Sequence, residues 1–456
     1  MLRTRLLAAA FAALTLTGAP AVAQDAPASP PQAPQAIAPS PALQARIDEL
    51  PAILSGGGDY EAFFHPAFVA QVPKAQFDQM TAQMRAGADA PPEIADVEAR
   101  DPNQAVITVA FANTTATLQI AVDPAEPHQV TGLRVTGFQA REASLGEVFD
   151  AIEALPGRTG YAAARLGDGA PQMLHAEDAD TPFGVGSAFK LWILAELVRA
   201  TNAGERQWDD VVTLDGSALP GGAYFAAPAG TEVTLRELAG RMISVSDNSA
   251  TDILLHHLGR ERVEAMLPVV GVAPEQVAMN RPLLGTLEFF KLKGIEDGAL
   301  GRQWIGSDHA ERRALLAGEV AAAPITAIRP DLFQDGVPVM IDAIEFFASP
   351  ADLVRTMDWL RRNTEANSVA RDILSQNPGV SPGIAQQWRY VGYKGGSEPG
   401  VINMTLLLQA QSGEWYAFSG SWNDPEAAVD NGRFAGLVSR MAELAAAALP
   451  QQSAGQ

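Results

Sequence analysis

Apolar and polar positions in the first third of the chain predict helices followed by strands. Helical spacing of apolar residues predicts three helices, over residues 43–54, 60–64 and 74–84. Alternating apolar residues predict three strands, over residues 105–111, 116–122 and 129–135. Helices followed by a curved antiparallel sheet predict a small α+β domain shaped like a cone.

The second part of the chain combines apolar helices with a group of strands. Residues 187–200 are almost entirely apolar, and a helix that is apolar on all sides is buried. A capping-box pattern at Thr234 predicts a helix to about Ile243, and residues 250–258 predict the next one. Strands are predicted over 388–394, 401–409 and 414–421. A capping box at Ser144 opens this part, so we place the domain boundary near Arg141.

Ser187-Ala188-Phe189-Lys190 forms the pattern S-x-x-K at the start of the apolar helix. Residues three apart share a helix face, so Lys190 is expected one turn from Ser187. Burial lowers the pKa of a lysine, which lets Lys190 act as a base towards the serine hydroxyl. Gly184 and Gly186 allow a tight turn into the helix, whose N-terminus favours negative charge near Ser187. A core helix with a surface serine and a snorkelling lysine is the alternative.

Ser246-Asp247-Asn248 forms the pattern S-D-N in the short loop expected between two helices. The Ser246 hydroxyl can relay a proton between lysines and a leaving group. The Asn248 amide can bind both a substrate carbonyl and the base. The alternative is an ordinary helix N-cap, because Ser, Asp and Asn are all favoured there.

Lys394-Gly395-Gly396 is a variant of the pattern K-T/S-G and ends the first predicted strand of its group. Lys394 would supply positive potential for a substrate carboxylate, and the two glycines allow close backbone approach to a ligand. A Gly- and Ser-rich hairpin with one exposed lysine is the alternative. The three motifs in this order make acyl transfer through Ser187 the preferred interpretation.

The motifs resemble those of class A β-lactamases and other penicillin-recognising serine acyl-transferases. Residues 144–448 look like their catalytic domain, which implies a β-lactamase/transpeptidase-like fold with an antiparallel sheet and a helical subdomain. The catalytic residues that the resemblance implies are Ser187, Lys190, Ser246, Asn248 and Lys394. It also implies substrate binding by Gly396 and Ser397, and an oxyanion hole formed by the backbone N–H groups of Ser187 and Ser397.

The whole chain more narrowly resembles two-domain β-lactamase-like proteins of clavulanic acid biosynthesis clusters. The segment RPLLGTLEFFKLK, residues 281–293, carries this resemblance. The N-terminal domain is similar to the nuclear-transport-factor/ketosteroid-isomerase type of fold. We expect it to be a structural or substrate-gating module and not a second active site, since it offers no convincing acid–base pair.

Three departures from the family pattern bear on the mechanism. Class A enzymes activate the deacylating water with a glutamate in an E-x-x-L-N loop, and this chain has no such pattern. The nearest candidate is Glu275, followed by Asn280 at the wrong spacing. Gly395 removes a hydroxyl from the carboxylate pocket, which Ser397 is a candidate to replace. Residues 294–348 are predicted to be an insertion, either a lid or a partner surface.

Composition and the chain's beginning predict an exported protein. We predict a signal peptide over residues 1–23, a Pro/Ala-rich linker over 24–41, an α+β domain over 42–141 and the catalytic domain over 142–450. There is no cysteine, which excludes disulfides, thiolate metal sites and a cysteine nucleophile. The net charge of −21 argues against nucleic acid or anionic lipid as a partner. No cofactor is expected.

The sequence thus favours a periplasmic or secreted serine hydrolase that forms an acyl-enzyme with β-lactams or related amides and esters. An esterase or peptidoglycan peptidase with slow β-lactam turnover is the alternative within enzymes. A non-catalytic β-lactam-binding protein, which is acylated and then stops, is the alternative outside them. The intact first two motifs favour an enzyme. The missing glutamate leaves the non-catalytic binding protein as an alternative.

Overall fold

The computed structural model describes most of the chain. The described residues are 38–85, 91–111, 114–334 and 336–452. The predicted signal peptide, residues 1–23, and residues 24–37 of the predicted linker lie outside them. Within the described ranges, no helix is long and apolar enough to cross a membrane.

The N-terminal region packs four short helices against one antiparallel sheet. Its helices are α1 (Pro41–Leu54), α2 (Tyr60–Phe63), α3 (Pro66–Gln71) and α4 (Lys74–Met84). Its strands are β1 (Glu93–Asp101), β2 (Gln104–Ala110), β3 (Thr114–Val122) and β4 (Val130–Ala140), hydrogen-bonded in the order β1-β2-β3-β4. The small α+β region predicted ahead of the catalytic domain is therefore confirmed.

The hydrophobic pattern misses two elements of this region, α3 and β1. α3 buries none of its residues, and β1 has only exposed and partly exposed positions. An element that buries no side chain fully leaves no hydrophobic period in the sequence. Apolar positions alone therefore predict neither element.

β4 connects the two regions of the chain. It continues past the predicted end at residue 135, and its later part packs against α17 (Asn431–Gln452), the last helix. The side-chain amide of Gln139 donates to the Glu443 carboxylate at 2.9 Å across this contact. Ser144 then caps α5 (Leu145–Glu153), as the capping-box pattern predicts.

A five-stranded antiparallel sheet forms the centre of the second region. Its strands are β5 (Arg158–Leu166), β6 (Gln172–Glu177), β11 (Tyr390–Glu398), β12 (Val401–Gln409) and β13 (Trp415–Asn423), in the order β11-β12-β13-β5-β6. Two short antiparallel pairs lie outside this sheet: β7 (Phe183–Gly184) with β10 (Phe347–Ala348), and β8 (Val211–Thr213) with β9 (Glu232–Thr234). β12 is buried along nearly its whole length because helices cover both faces of the sheet.

β11 corrects the prediction that Lys394 ends a strand. The predicted strand covers residues 388–394, whereas β11 begins at Tyr390 and continues to Glu398. Its second half pairs with β12 through the register Lys394–Thr405 to Glu398–Val401. Two glycines interrupt the apolar pattern there, although the ladder still forms. Lys394 therefore lies in the middle of a strand, and the residues after it continue the same ladder.

Helices cover both faces of the central sheet. α5, α16 (Pro382–Ala385) and α17 cover one face, where they pack on Phe418 and Trp422. A helical subdomain around α6 (Lys190–Asn202) covers the other. Its further helices are α7 (Leu235–Ser244), α8 (Asn248–Leu258), α9 (Arg260–Val269), α10 (Pro274–Met279), α11 (Thr286–Gly294), α12 (Ala299–Gly306), α13 (His309–Leu315), α14 (Pro350–Asn363) and α15 (Ser368–Ser375). The predicted sheet-plus-helical-subdomain architecture is confirmed.

Residues 294–348, which the sequence predicts to be an insertion, fold as part of the helical subdomain. They contain α12, α13 and a π-helical turn at Leu316–Val320. Trp304 and Ile344 from this segment are buried in the same hydrophobic core as α6. The segment is therefore not a detached flap, and its last residues form β10 beside the turn that carries Ser187.

Candidate active site

Ser187 lies in a tight turn, not in the α-helix that the pattern predicts. Residues Gly186–Phe189 form a 3-10 turn, and α6 begins only at Lys190. In 3-10 geometry, residues three apart lie directly above one another, so Lys190 stays on the Ser187 side. Gly186 enters the turn with φ +48°, which favours glycine, and its N–H donates to the Glu345 carboxylate at 3.3 Å.

β11 crosses directly over the Ser187 turn. A Cβ on Gly396 would lie 2.1 Å from the backbone nitrogen of Ser187 and 2.3 Å from the oxygen of Val185. A Cβ on Gly186 would lie 2.9 Å from the nitrogen of Ser397. Both positions therefore require glycine. This contact brings the backbone nitrogens of Ser187 and Ser397 close to each other, as an oxyanion hole would need.

Lys190 is fully buried, and its amine makes three contacts. It donates to the backbone oxygen of Ser246 and to Oδ1 of Asn248, both at 2.7 Å, and lies 3.1 Å from Ser246 Oγ. The two short bonds use two protons, so the third position carries either a proton or the lone pair. Burial lowers the pKa of Lys190 to about 7, against the opposing effect of Asp252 and Asp247. A substantial fraction is then the neutral amine, which can accept a proton.

Ser246 lies in the predicted loop between α7 and α8, with a backbone φ of +59°. Such a conformation costs a non-glycine residue about 1–3 kcal/mol and is concentrated at functional sites. The capping interpretation of the motif also applies, because Asp247 is the N-cap of α8 and accepts from the Ala250 N–H. Capping by Asp247 thus holds the loop while the side chains of Ser246 and Asn248 contact Lys190.

Lys394 reaches the same hydroxyl from the third motif. Its Nζ donates to Ser246 Oγ at 3.1 Å and to the backbone oxygen of Gly395 at 2.5 Å. Burial lowers the pKa of Lys394 well below its usual value, and the nearby charge of Lys190 lowers it further. Because a hydroxyl both donates and accepts, the line Lys190–Ser246–Lys394 can pass a proton.

Tyr393 supplies a hydroxyl at the place where Gly395 lacks one. A Cβ on Gly395 would lie 2.2 Å from the phenol oxygen of Tyr393, so this phenol fills the space beside the glycine. Burial raises the pKa of Tyr393 to about 12, and the phenol therefore keeps its proton at neutral pH and can donate it in a hydrogen bond. Ser397, the replacement considered from the sequence, is exposed and lies on the same strand face as Gly395. Sequence reasoning did not consider Tyr393.

Ser187 opens into two cavities of different character. The larger, of about 440 Å³, is lined by Lys394, Ser246 and Tyr393 and also by Asn377. The smaller, of about 190 Å³, has an apolar wall formed by Phe189, Phe289, Phe290, Phe333 and Phe346. The first cavity is therefore lined by amine and hydroxyl groups, whereas the second combines an aromatic wall with polar groups.

Three buried charged residues beside the smaller cavity were not predicted from the sequence: Lys293, Glu345 and Glu398. The two carboxylates line this cavity, and Lys293 pairs with Glu398 at 2.5 Å with both side chains almost fully buried. Lys293 belongs to α11, so the segment that carries the narrower family resemblance forms a wall of the site. The sequence could have indicated Glu398, because Lys394, Gly396 and Glu398 lie at alternate positions of a strand and so share one face.

Asp252 holds α11 against the helix of the S-D-N motif. It is buried one turn after Asn248 on α8 and accepts from the backbone N–H groups of Thr286 and Leu287 at 2.6 and 2.9 Å. A carboxylate at a helix N-terminus satisfies free N–H groups and is favoured by the helix dipole. This tie places Phe289 and the rest of the α11 wall beside Ser187.

The structure does not bring Glu275 to the site. Glu275 is exposed in the first turn of α10 and lines neither cavity beside Ser187. Asn280 is buried, and its side-chain amide exchanges hydrogen bonds of 2.6 and 2.9 Å with the backbone of Phe347 in β10. The nearest sequence match to the missing loop therefore contributes a structural tie and no base.

Comparison with solved structures finds β-lactamases at low identity. A β-lactamase from Sphaerobacter thermophilus DSM 20745 is 21% identical over 67% of this chain and 97% of its own, with a TM-score of 0.46. A β-lactamase from Chitinophaga pinensis DSM 2588 is 17% identical over 67% of this chain and 98% of its own, with a TM-score of 0.44. Among curated proteins, none matches this chain.

Comparison with protein families separates the same two regions that the fold shows. The family described as ORF 12 gene product N-terminal matches residues 43–126. The family described as Beta-lactamase enzyme family matches residues 144–445, which include all three motifs. Because this second match spans well over half of the 456 residues, the chain belongs to the β-lactamase enzyme family.

Proposed function

We propose that this protein is an exported serine hydrolase that forms an acyl-enzyme through Ser187 with β-lactams or related amides and esters. One observation carries the proposal: Lys190 and Lys394, from different motifs, each lie 3.1 Å from the hydroxyl of Ser246. Two lysines and one hydroxyl beside the turn that carries Ser187 form a path for protons. A site with only a structural role would not need such a path. The family assignment supports hydrolysis as the activity.

Acylation would proceed from this arrangement. The neutral amine of Lys190 takes the proton of the Ser187 hydroxyl, whose oxygen attacks the substrate carbonyl carbon. The backbone N–H groups of Ser187 and Ser397 stabilise the negative oxygen that develops. Ser246 then gives its proton to the leaving nitrogen or oxygen and is reprotonated along the Lys190–Lys394 line. Asn248 holds Lys190 and offers its amide to the substrate.

The substrate's carboxylate is proposed to bind in the larger cavity. A substrate carboxylate would favour the protonated, charged form of Lys394 there, and the Tyr393 hydroxyl stands in for the hydroxyl that Gly395 lacks. Gly396 and Ser397 line the same cavity and would bind the substrate through the backbone of β11. A small acylating molecule that carries an anionic group fits these hydrogen-bond donors.

Tyr393→Phe is expected to lower kcat/KM about 10- to 100-fold for substrates that carry the carboxylate. A hydrogen bond to a charged group is worth about 1.5–3 kcal/mol, and the phenylalanine keeps the shape of the ring. Steady-state kinetics with a penicillin and with a neutral ester measure this effect. The neutral ester serves as the control and should lose little. An equal loss for both substrates would remove the assigned role of the phenol.

Export is proposed from the predicted signal peptide, which places the protein in the periplasm or outside the cell. The predicted substrate is a small β-lactam or a molecule derived from the cell wall, without nucleic acid as a partner. The narrower resemblance to proteins of clavulanic acid biosynthesis clusters stays a prediction. A family match at residues 43–126, ahead of the β-lactamase match, is in keeping with a two-domain relative.

A second candidate is a protein that is acylated and then turns over slowly or not at all. The exposed position of Glu275 favours it, because that residue lies outside both cavities beside Ser187 and so cannot activate a deacylating water there. An esterase that cleaves simple esters faster than penicillins would belong to the same class. These candidates share the acylation step and differ only in the fate of the acyl-enzyme.

Intact mass over time, with a penicillin, a cephalosporin and a simple ester, tests the proposal. We expect a mass increase of one acyl group on wild-type protein, succeeded by its decay and by steady product formation. One equivalent of product and a permanent adduct would identify the slow binding protein. No adduct and no turnover with any of the three substrates would contradict the proposed function.

A further inference from the structure

The face of β11 that contacts the Ser187 turn carries three functional positions. Lys394, Gly396 and Glu398 lie at alternate positions and therefore on one face of the strand. Gly396 touches the backbone of Ser187, so the other two flank the serine on opposite sides. The rise of a strand places the Cα of Glu398 about 7 Å from that of Gly396. Glu398 and Ser187 line the same cavity.

Glu398 is held beside a lysine in an enclosed place. Its Oε1 accepts from Lys293 at 2.5 Å, and its side chain is only 6% exposed. Its second oxygen, Oε2, has no hydrogen-bond partner within the described residues. A buried carboxylate that keeps one oxygen free is costly, since each unpaired polar atom loses hydration without compensation. The free oxygen is therefore available to bind a polar molecule such as water.

A second carboxylate in the same cavity also has an unpartnered oxygen. Glu345 uses Oε2 to accept from the Gly186 N–H, and its Oε1 has no partner among the described residues. Ser187 and both carboxylates line this one cavity of about 190 Å³. Its volume and polar groups suit a water molecule that forms several hydrogen bonds.

We propose that Glu398 is the general base that activates the water for deacylation, with Lys293 and Glu345 positioning its carboxylate. This inference rests on the proposed function. The Glu398 carboxylate accepts a proton from the water, whose oxygen bonds to the ester carbon of the acyl-Ser187. The bond between that carbon and Ser187 Oγ then breaks, and the serine oxygen takes the proton that Glu398 removed from the water. Ser187 and Glu398 are thereby restored as the free acid departs.

The charges of the cluster separate the roles of the two carboxyls. Burial raises the pKa of Glu345 to about 8, and the neighbouring charge of Glu398 adds to this effect, while Lys293 opposes it. Burial also raises the pKa of Glu398, and the paired Lys293 opposes this rise. The proton of the pair is therefore favoured on Glu345, and the contact with Lys293 favours the ionised form of Glu398. An ionised carboxylate with a raised pKa is a stronger base towards water than an ordinary one.

If the Lys293–Glu398 ion pair between α11 and β11 had only a structural role, its mutants would behave differently from those of a catalytic Glu398. Its loss would lower stability and would impair acylation and deacylation alike. A catalytic Glu398 predicts that only deacylation fails. The full-length protein can therefore decide between the two, provided that each half-reaction is measured separately.

The experiment compares the full-length Glu398→Gln, Glu398→Asp and Glu345→Gln variants in rapid-mix intact-mass assays with the penicillin and the simple ester. In Glu398→Gln we expect acylation within a few-fold of wild type and deacylation slower by about 10²–10⁴-fold, the usual effect of removing a general base. Glu398→Asp keeps a carboxylate and should restore part of the rate. Glu345→Gln should deacylate within about tenfold of wild type, because glutamine mimics the protonated acid. Glu196→Gln, another buried and ion-paired glutamate, is the matched control and should behave as wild type.

Several results would overturn the inference. These are deacylation at the wild-type rate in Glu398→Gln, an aspartate variant no faster than the glutamine variant, or a loss in Glu345→Gln that exceeds the loss in Glu398→Gln. A wild-type adduct that never turns over would also overturn it, because no base would then be at work. Absence of any adduct on wild-type Ser187 would instead contradict the proposed function itself. The two failures are thus distinguishable.

Discussion

Ser187→Ala should abolish covalent labelling by a penicillin or a fluorophosphonate while leaving the fold intact. The serine is partly exposed between the two cavities, and its hydroxyl makes no hydrogen bond to the described part of the chain that the alanine would break. Its backbone nitrogen, which contacts Gly396, is unchanged by the substitution. The measurement is intact mass after incubation with the label, together with the thermal midpoint of unfolding.

Ser244→Ala is the matched control for this loss of labelling. Ser244 lines the larger cavity, but its hydroxyl donates to the backbone oxygen of Gly240 in its own helix. The control variant should therefore be labelled like the wild type. Labelling that persists in Ser187→Ala would place the nucleophile at another residue and would remove the basis of the proposed function.

Lys190→Ala is expected to slow acylation by about 10²–10⁴-fold, the usual contribution of a positioned general base. Ser246→Ala should cost less, because water can partly replace a relay hydroxyl. The wild-type acylation rate should also rise with pH through about 7, where burial places the pKa of Lys190. Only the neutral amine accepts the serine proton, so the rate falls as the lysine is protonated at lower pH.

Single-turnover acylation measured between about pH 5 and pH 9 tests both statements for Lys190. The rising limb near pH 7 should vanish in the alanine variant, which has no amine left to titrate. Lys291→Ala is a suitable control, because Lys291 is another buried lysine but donates to the backbone oxygen of Val320, away from Ser187. An acylation rate close to wild type in Lys190→Ala would exclude the role assigned to that lysine.

The predictions from sequence succeeded where one local pattern carried the information. Ser246 lies in an interhelical loop as predicted, and Asp247 caps the following helix. The central strands and the apolar helix after Ser187 were also recognisable, because their buried residues recur at a clear period. Two predictions were wrong where glycines interrupt the hydrophobic period. Ser187 occupies a 3-10 turn and not an α-helix, and the strand that contains Lys394 continues to Glu398.

Residues missed by sequence reasoning share one property: their surroundings come from distant parts of the chain. Glu345 meets Gly186 across a long separation in sequence, and Glu398 meets Lys293. Tyr393 gains its place only because the neighbouring Gly395 has no side chain. None of these residues belongs to a recognisable motif, and a charged residue in isolation is usually a solvated one.

By itself, the sequence determined the family, the order of the two regions and the residue types of the proton path, because motifs and hydrophobic periods are local properties. Only the tertiary structure decided that Lys190 and Lys394 meet at one hydroxyl, and that Glu275 stays outside the site. It also decided which carboxylates are buried beside Ser187. Burial and pairing depend on which distant segments pack together, and they set the pKa values on which acid–base chemistry depends.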